Sequence, residues 1–93
     1  MDTDSSASWF VYMLRCADGS LYTGITLDTD RRCQQHNAGT ASRYTRCRLP
    51  TEIVYREIQT TRSDALKREA AIKRLRRREK DALICLQMEL QTK

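Results

Sequence analysis

One stretch, Phe10 to His36, constrains this chain more than any other: it reads FVYMLRCADGSLYTGITLDTDRRCQQH. Tyr12 and Tyr22 flank an Asp18-Gly19 turn, and Arg32 and His36 follow one helical turn apart. From Trp9 to Cys16 runs a nearly unbroken apolar segment containing aromatic and β-branched residues. Its length suits a strand covered on both faces. Leu21 to Ile25 is a second short run. Between them Ala17-Asp18-Gly19 predicts a type I turn closed by a glycine with φ > 0, the three-residue hairpin loop with a bulge. The competing two-residue Asp-Gly turn pairs Met13 with Gly24 and sends the two tyrosines to opposite faces. The three-residue loop pairs Cys16 with Ser20, Leu14 with Tyr22 and Tyr12 with Gly24. Both tyrosines then share a face, beside a bare glycine where a ligand or backbone can approach. The three-residue loop is the expectation.

A chain of 93 residues makes one domain with a single modest core. The expected division is a mobile tail over residues 1–7 and one domain over 8–90. Net charge is +5, unevenly spread: residues 62–80 carry nine Lys/Arg against three Asp/Glu, a local +6. Such a patch favours polyanions, nucleic acid ahead of an acidic membrane, with a solvated helix face as the plainer alternative. Cysteines stand at 16, 33, 47 and 85 without C-x-x-C spacing, and there is one histidine, which speaks against a zinc site. Cys16, Cys33 and Cys85 are expected as small buried hydrophobes. The N-terminus Met1-Asp2-Thr3-Asp4-Ser5-Ser6 is acidic and polar, unlike a signal peptide. No apolar run has membrane-spanning length. The chain therefore reads as soluble and intracellular, in the cytoplasm, nucleoid or nucleus, with no membrane partner and with reduced cysteines.

Downstream of the hairpin, Asp28 or Thr29 caps a helix running to about Asn37, with Gly39 ending it. Between Thr29 and Asn37 the only apolar residue is Cys33, so this helix has little to bury. Arg32 and His36 share one of its faces. Either the helix is a polar surface element or that face lines a site beside the tyrosines. Residues 38–50 read as a loop whose Arg43, Tyr44, Arg46 and Arg48 suit phosphate contacts and base stacking, or simple solvation. Thr51 to Ile58 is the third strand. Ser63 caps a second helix over about 63–75, with Ala65, Leu66, Ile72 and Leu75 as its apolar stripe. Glu69 lies in the middle of that stripe. An ionised carboxylate there is costly unless paired, hydrogen-bonded or bound to a cation; an ion pair, for example with Arg32, is the structural alternative. A third helix, about 77–90, has Leu83, Ile84, Leu86, Met88 and Leu90 as packing residues and closes the sheet.

These residues resemble the GIY-YIG nuclease family. Phe10-Val11-Tyr12 stands for the first half-motif and Tyr22-Thr23-Gly24 for the second. Both tyrosines and the glycine are kept; the glycine and isoleucine of the first half and the isoleucine of the second are replaced. Arg32, His36 four residues on, and a later helix bearing Glu69 follow in family order. The wording LYTGIT, QHNAG, SRYTR and REAAIKRL is similar to that of the small stand-alone members, over roughly residues 8 to 85. The resemblance implies an α+β fold: a three-stranded antiparallel sheet flanked by helices, in the order ββαβαα. It implies a metal-dependent endonuclease with Tyr12, Tyr22, Arg32, His36 and Glu69 as catalytic residues. Glu69 would hold Mg2+ or Mn2+ at the leaving-group side, and Arg32 the scissile phosphate. Tyr12 is the implied general base. With a free pKa near ~10 it needs cationic neighbours for that role, and His36 is the alternative. The expected nucleic-acid contacts are Arg43, Tyr44, Arg46, Lys73, Arg76 and Arg77, with DNA or RNA as ligand. Two rivals stand beside this reading: a non-catalytic nucleic-acid-binding module of the same fold, and a nuclease subunit that depends on a protein partner.

Overall fold

Strand alternation along the first hairpin decides how the layers are laid down. The computed structural model describes residues 8–91; the tail expected over 1–7 lies outside the described residues. Strand β1 (Trp9–Arg15) is central in a sheet of order β2-β1-β3 with β2 (Leu21–Thr26) and β3 (Glu52–Gln59), both antiparallel to it. The register is the one the three-residue loop requires: Tyr12 faces Gly24 and Leu14 faces Tyr22. Cys16 N–H donates to the Ser20 carbonyl at 2.9 Å, and Gly19 takes φ 86. Asp18 accepts from the backbone and hydroxyl of Ser20, which fixes the turn.

Side chains on successive strand residues point to opposite faces. Val11 and Met13, with Tyr55 opposite Met13, therefore share the face that buries the core with Ala65, Ile72 and Ile84. Val11 and Met13 have no exposed surface, and burying each contributes roughly 1.5–3 kcal/mol. Tyr12, Tyr22 and Gly24 share the other face. The β1–β3 register slips between Met13 and Leu14, so that Leu14 pairs with Ile53; a bulge of this kind increases local twist.

Helix α1 (Thr29–Asn37) begins at Asp28, whose carboxylate accepts from Arg31 N at 3.0 Å, and stops at Gly39 with φ 81. Gly39 N–H donates to the His36 carbonyl and Thr40 N–H to that of Gln35, a Schellman closure. The stretch expected as loop contains one turn of helix, α2 (Arg43–Arg46), because Ser42 caps the Tyr44 N–H; the order is otherwise ββαβαα. Helix α3 (Arg62–Lys73) is capped by Thr61 rather than Ser63. Its buried residues are Ala65 and Ile72, while Leu66 is 39% exposed.

Helix α4 (Arg77–Gln91) closes the outer edge of β3. The Gln87 amide accepts from Arg56 N–H at 3.1 Å and donates to the Arg56 carbonyl, occupying edge groups that otherwise invite another strand. Only Leu83 and Ile84 of the expected packing residues reach the core; Leu86, Met88 and Leu90 are exposed, as is Cys85. A helix lying along a sheet edge has one narrow side to bury, so its apolar residues outnumber its contacts.

Candidate active site

The site is assembled around the Tyr12 phenol, from β1, β2, α1 and α2. Across from Tyr12 the bare Gly24 is essential. A Cβ there would stand 2.7 Å from Tyr12 Oη, so only glycine lets the phenol lie over the neighbouring strand. The phenol is buried, 3% exposed, and its hydroxyl meets His36 Nε2 at 3.0 Å. On the other side of the imidazole, Nδ1 meets Thr45 Oγ1 at 2.7 Å. Thr45 Oγ1 donates to the Ser42 carbonyl at 3.4 Å, which leaves its lone pairs toward Nδ1. The ring proton then sits on Nδ1, and Nε2 accepts the Tyr12 O–H.

Tyr22, opposite Leu14 on the edge strand, completes an aromatic group. Its ring lies 6.4 Å from that of Tyr12 and 5.0 Å from that of His36, the latter edge-on. Tyr44 on α2 lies 6.0 Å from Tyr22. Tyr44 is less free for stacking than the sequence suggests, because the Arg48 guanidinium sits 3.9 Å over its ring. Arg48 is further tied to Asp18 at 3.0 Å and to the Tyr44 carbonyl at 2.8 Å. It braces α2 against the hairpin tip.

Arg32 and Glu69 bring opposite charges to the same phenol. Burial pushes the Tyr12 pKa far above its ordinary value; Tyr22 and Glu69 push the same way and Arg32 opposes. His36 is shifted down, first by burial and then by Arg32, so its neutral form is favoured. Arg32 Nε is buried with no hydrogen-bond partner among the described residues. A buried donor left unmade costs about 1–3 kcal/mol. Glu69, largely buried, pairs with Lys73 Nζ at 3.3 Å. The ion pair foreseen for it is therefore made with its own helix and not with Arg32.

Tyr12, Tyr22 and His36 thus meet in one patch, and Arg32 and Glu69 lie within electrostatic reach of its phenol. All six expected nucleic-acid contacts, Arg43, Tyr44, Arg46, Lys73, Arg76 and Arg77, are exposed, with Arg77 paired to Asp81 at 3.0 Å. Lys73 is engaged with Glu69, and Tyr44 with Arg48. Thr45 escaped the sequence reading. Its signal was present: a hydroxyl three residues after the capping Ser42, on the turn that faces His36. Among the described residues no three His, Cys, Asp or Glu side chains cluster as a metal site, and no helix is long and apolar enough to cross a membrane.

The profile of the GIY-YIG catalytic domain matches residues 8–82. A UPF0213 protein of Desulfotalea psychrophila is 51% identical over 84 residues, covering 89% of this chain and 76% of that protein. A UPF0213 protein of Staphylococcus aureus is 48% identical over 77 residues, covering 83% and 94%. The solution structure of a UPF0213 protein of Bacillus halodurans superposes with TM-score 0.56 at 40% identity, covering 85% of this chain and 84% of that one. A solution structure from E. faecalis gives the same score at 43% identity, covering 81% and 80%. Matched over most of its length by that domain profile and by these relatives, this chain belongs to the GIY-YIG family of nuclease-type domains, among its small UPF0213 members.

Proposed function

We propose that the protein is a metal-dependent endonuclease that hydrolyses phosphodiester bonds in DNA. The observation that carries this reading is the surrounding of one phenol: Tyr12 is hydrogen-bonded to His36 and lies within electrostatic reach of both Arg32 and Glu69. A merely structural tyrosine does not need a cation, a carboxylate and a neutral imidazole around it.

Hydrolysis needs a deprotonated water, positive charge on the phosphoryl oxygens and help for the departing oxygen. Burial raises the Tyr12 pKa and favours the protonated phenol, so in this reading Tyr12 works as one half of a base. A water gives its proton to Tyr12 Oη as the Tyr12 proton passes to His36 Nε2. The water oxygen bonds to phosphorus, and the bond to the leaving oxygen breaks. His36 is held neutral by its lowered pKa and aimed by Thr45, which suits it as the final proton acceptor. Arg32 takes the scissile phosphate through its guanidinium. Tyr22 packs edge-on against His36 and keeps a hydroxyl near the attacking water.

Glu69 fits a hard divalent cation. Mg2+ keeps most of its waters and commonly takes one or two carboxylates plus substrate phosphate, so a single carboxylate suffices where three would not be found. Glu69 would hold Mg2+ or Mn2+ there, and the ion would supply positive charge to the departing oxygen. The exposed Arg43, Arg46, Arg76 and Arg77 serve the flanking phosphates.

The deciding experiment incubates the protein with plasmid, single-stranded and branched DNA, with Mg2+, Mn2+ or chelator. Nicking that needs the metal is expected. Absence of nicking, together with salt-sensitive binding that Glu69→Gln leaves intact, would make the protein a binding module instead.

A further inference from the structure

Arg32 also lines a cleft of about 340 Å³ between the end of β2, the start of β1 and α1. Its other working residues are Trp9, Leu27, Arg31 and Gln35. Leu27 is apolar yet 53% exposed. Arg31 and Gln35 stand four apart, on one face of α1. Among the described residues neither the Arg31 guanidinium nor the Gln35 amide makes a hydrogen bond or ion pair. Asp28 also lines the cleft, with one carboxylate oxygen already spent on capping α1. The volume lies at the small end of ligand sites: room for one nucleotide, not for a duplex.

We infer that this cleft holds the nucleotide next to the phosphate bound by Arg32. Its base rests against the apolar edge made by Trp9 and Leu27, where apolar and aromatic contact tolerates any base. The Gln35 amide reads the base edge, matching the donor–acceptor pair of adenine. Arg31 takes the flanking phosphate. The inference rests on the nuclease reading only through the role given to Arg32.

The test is a titration of the intact chain with deoxyadenosine 5′-monophosphate, followed by the Trp9 indole and Gln35 side-chain amide resonances. Both are expected to move, and to move with deoxyadenosine as well, whereas inorganic phosphate should shift only arginine side-chain signals. Gln35→Ala and Leu27→Ser, both at solvent-accessible positions, should each raise the dissociation constant about tenfold, the first by losing a base-edge contact and the second by losing apolar contact with the base. A nucleotide that moves only what phosphate moves, or two variants that bind like the parent, would overturn the cleft assignment. Because the readout is binding, the two ideas fail separately. A protein that binds the nucleotide here yet never nicks DNA retains the cleft and loses the nuclease. A metal-dependent nickase whose nucleotide binding ignores Gln35 and Leu27 loses the cleft alone.

Discussion

Tyr12 and Tyr55 are two buried phenols on opposite faces of one sheet, and burial raises the pKa of both. Their surroundings differ in kind. Tyr55 donates to Glu57, which also accepts from Arg68 at 2.7 Å and Gln59 at 2.8 Å. That cluster is closed: the carboxylate is saturated and its partners pin α3 to β3. Tyr12 belongs to an open chain, Tyr12–His36–Thr45, beside an arginine whose Nε has no partner. A displaced phenol pKa is therefore no mark of function, since both tyrosines have one. The buried side-chain polar atoms without a partner among the described residues are Arg32 Nε and, opposite Met13 on the core side, Thr23 Oγ1; of these two only the Arg32 guanidinium brings a charge to the Tyr12 phenol. A buried group left unsatisfied calls for an explanation, and a ligand is one.

The sharpest way to break that contrast is to neutralise one carboxylate on each face. Glu69→Gln should abolish metal-dependent nicking while retaining DNA binding. Glu57→Gln should leave nicking in place and lower the urea midpoint. That loss should be modest, about 1 kcal/mol or less, because Arg68 is partly solvated and such pairs contribute little. Parent-level turnover in Glu69→Gln removes it from the metal role.

Removing the two hydroxyls comes next. Tyr12→Phe takes away the group that relays the proton, and single-turnover cleavage should fall by about 10²–10⁴, with about 1–3 kcal/mol of stability lost as the buried His36 Nε2 is left without its partner. Tyr55→Phe should leave cleavage intact and cost only the stability, roughly 1 kcal/mol for one lost hydrogen bond. Equal effects on cleavage would erase the distinction between the faces. Arg32→Ala follows in size, with at least ~2.7 kcal/mol of transition-state stabilisation lost, comparable to deleting one donor to a developing oxyanion. A loss of tenfold or less would make Arg32 peripheral.

The open side of the molecule was more legible in the sequence than the closed one. Ala17-Asp18-Gly19 fixes loop length, loop length fixes register, and register alone places both tyrosines over Gly24. Asp28 and Gly39 bound α1 through local hydrogen bonds, so its ends could be read directly. Legibility failed where partners come from afar. Thr45 acquires its role only because Ser42 starts a four-residue helix that turns its hydroxyl under His36. The apolar residues of α4 suggested a broad buried stripe, but the edge of β3 is met by the Gln87 amide, which leaves Leu86, Met88 and Leu90 in solvent. Leu66 misled for a related reason. Ala65 and Ile72 face the core, and the helical repeat carries Leu66 to the flank. The closed cluster of Tyr55, Glu57, Gln59 and Arg68 joins a strand to a helix across 11 positions between Glu57 and Arg68, and no local pattern announces it.

The smallest effect separates the two regions by pH. His36 is held below its ordinary pKa by burial and by Arg32, so between the folded value and about 6.5 the unfolded chain binds a proton that the folded one refuses. Stability from this site is complete above about pH 6.5 and drains away as pH falls below it. Burial alone would raise Glu57, but hydrogen bonds from Tyr55, Arg68 and Gln59 outweigh it and hold the carboxyl below its usual value. Its contribution survives until the pH falls below about 4.3, the unfolded glutamate value. Urea midpoints measured from pH 7.5 to 3.5 should therefore show two separate losses. His36→Gln should remove only the upper one, and Glu57→Gln should diminish only the lower, to which Asp18, held down by its hydrogen bonds from Ser20, also contributes. Nicking should keep its acid limb below the ordinary histidine range, because the base is neutral until the folded His36 titrates. A single merged loss, or an upper step that survives His36→Gln, would mean that the imidazole is not the buried neutral acceptor the Tyr12 hydroxyl requires.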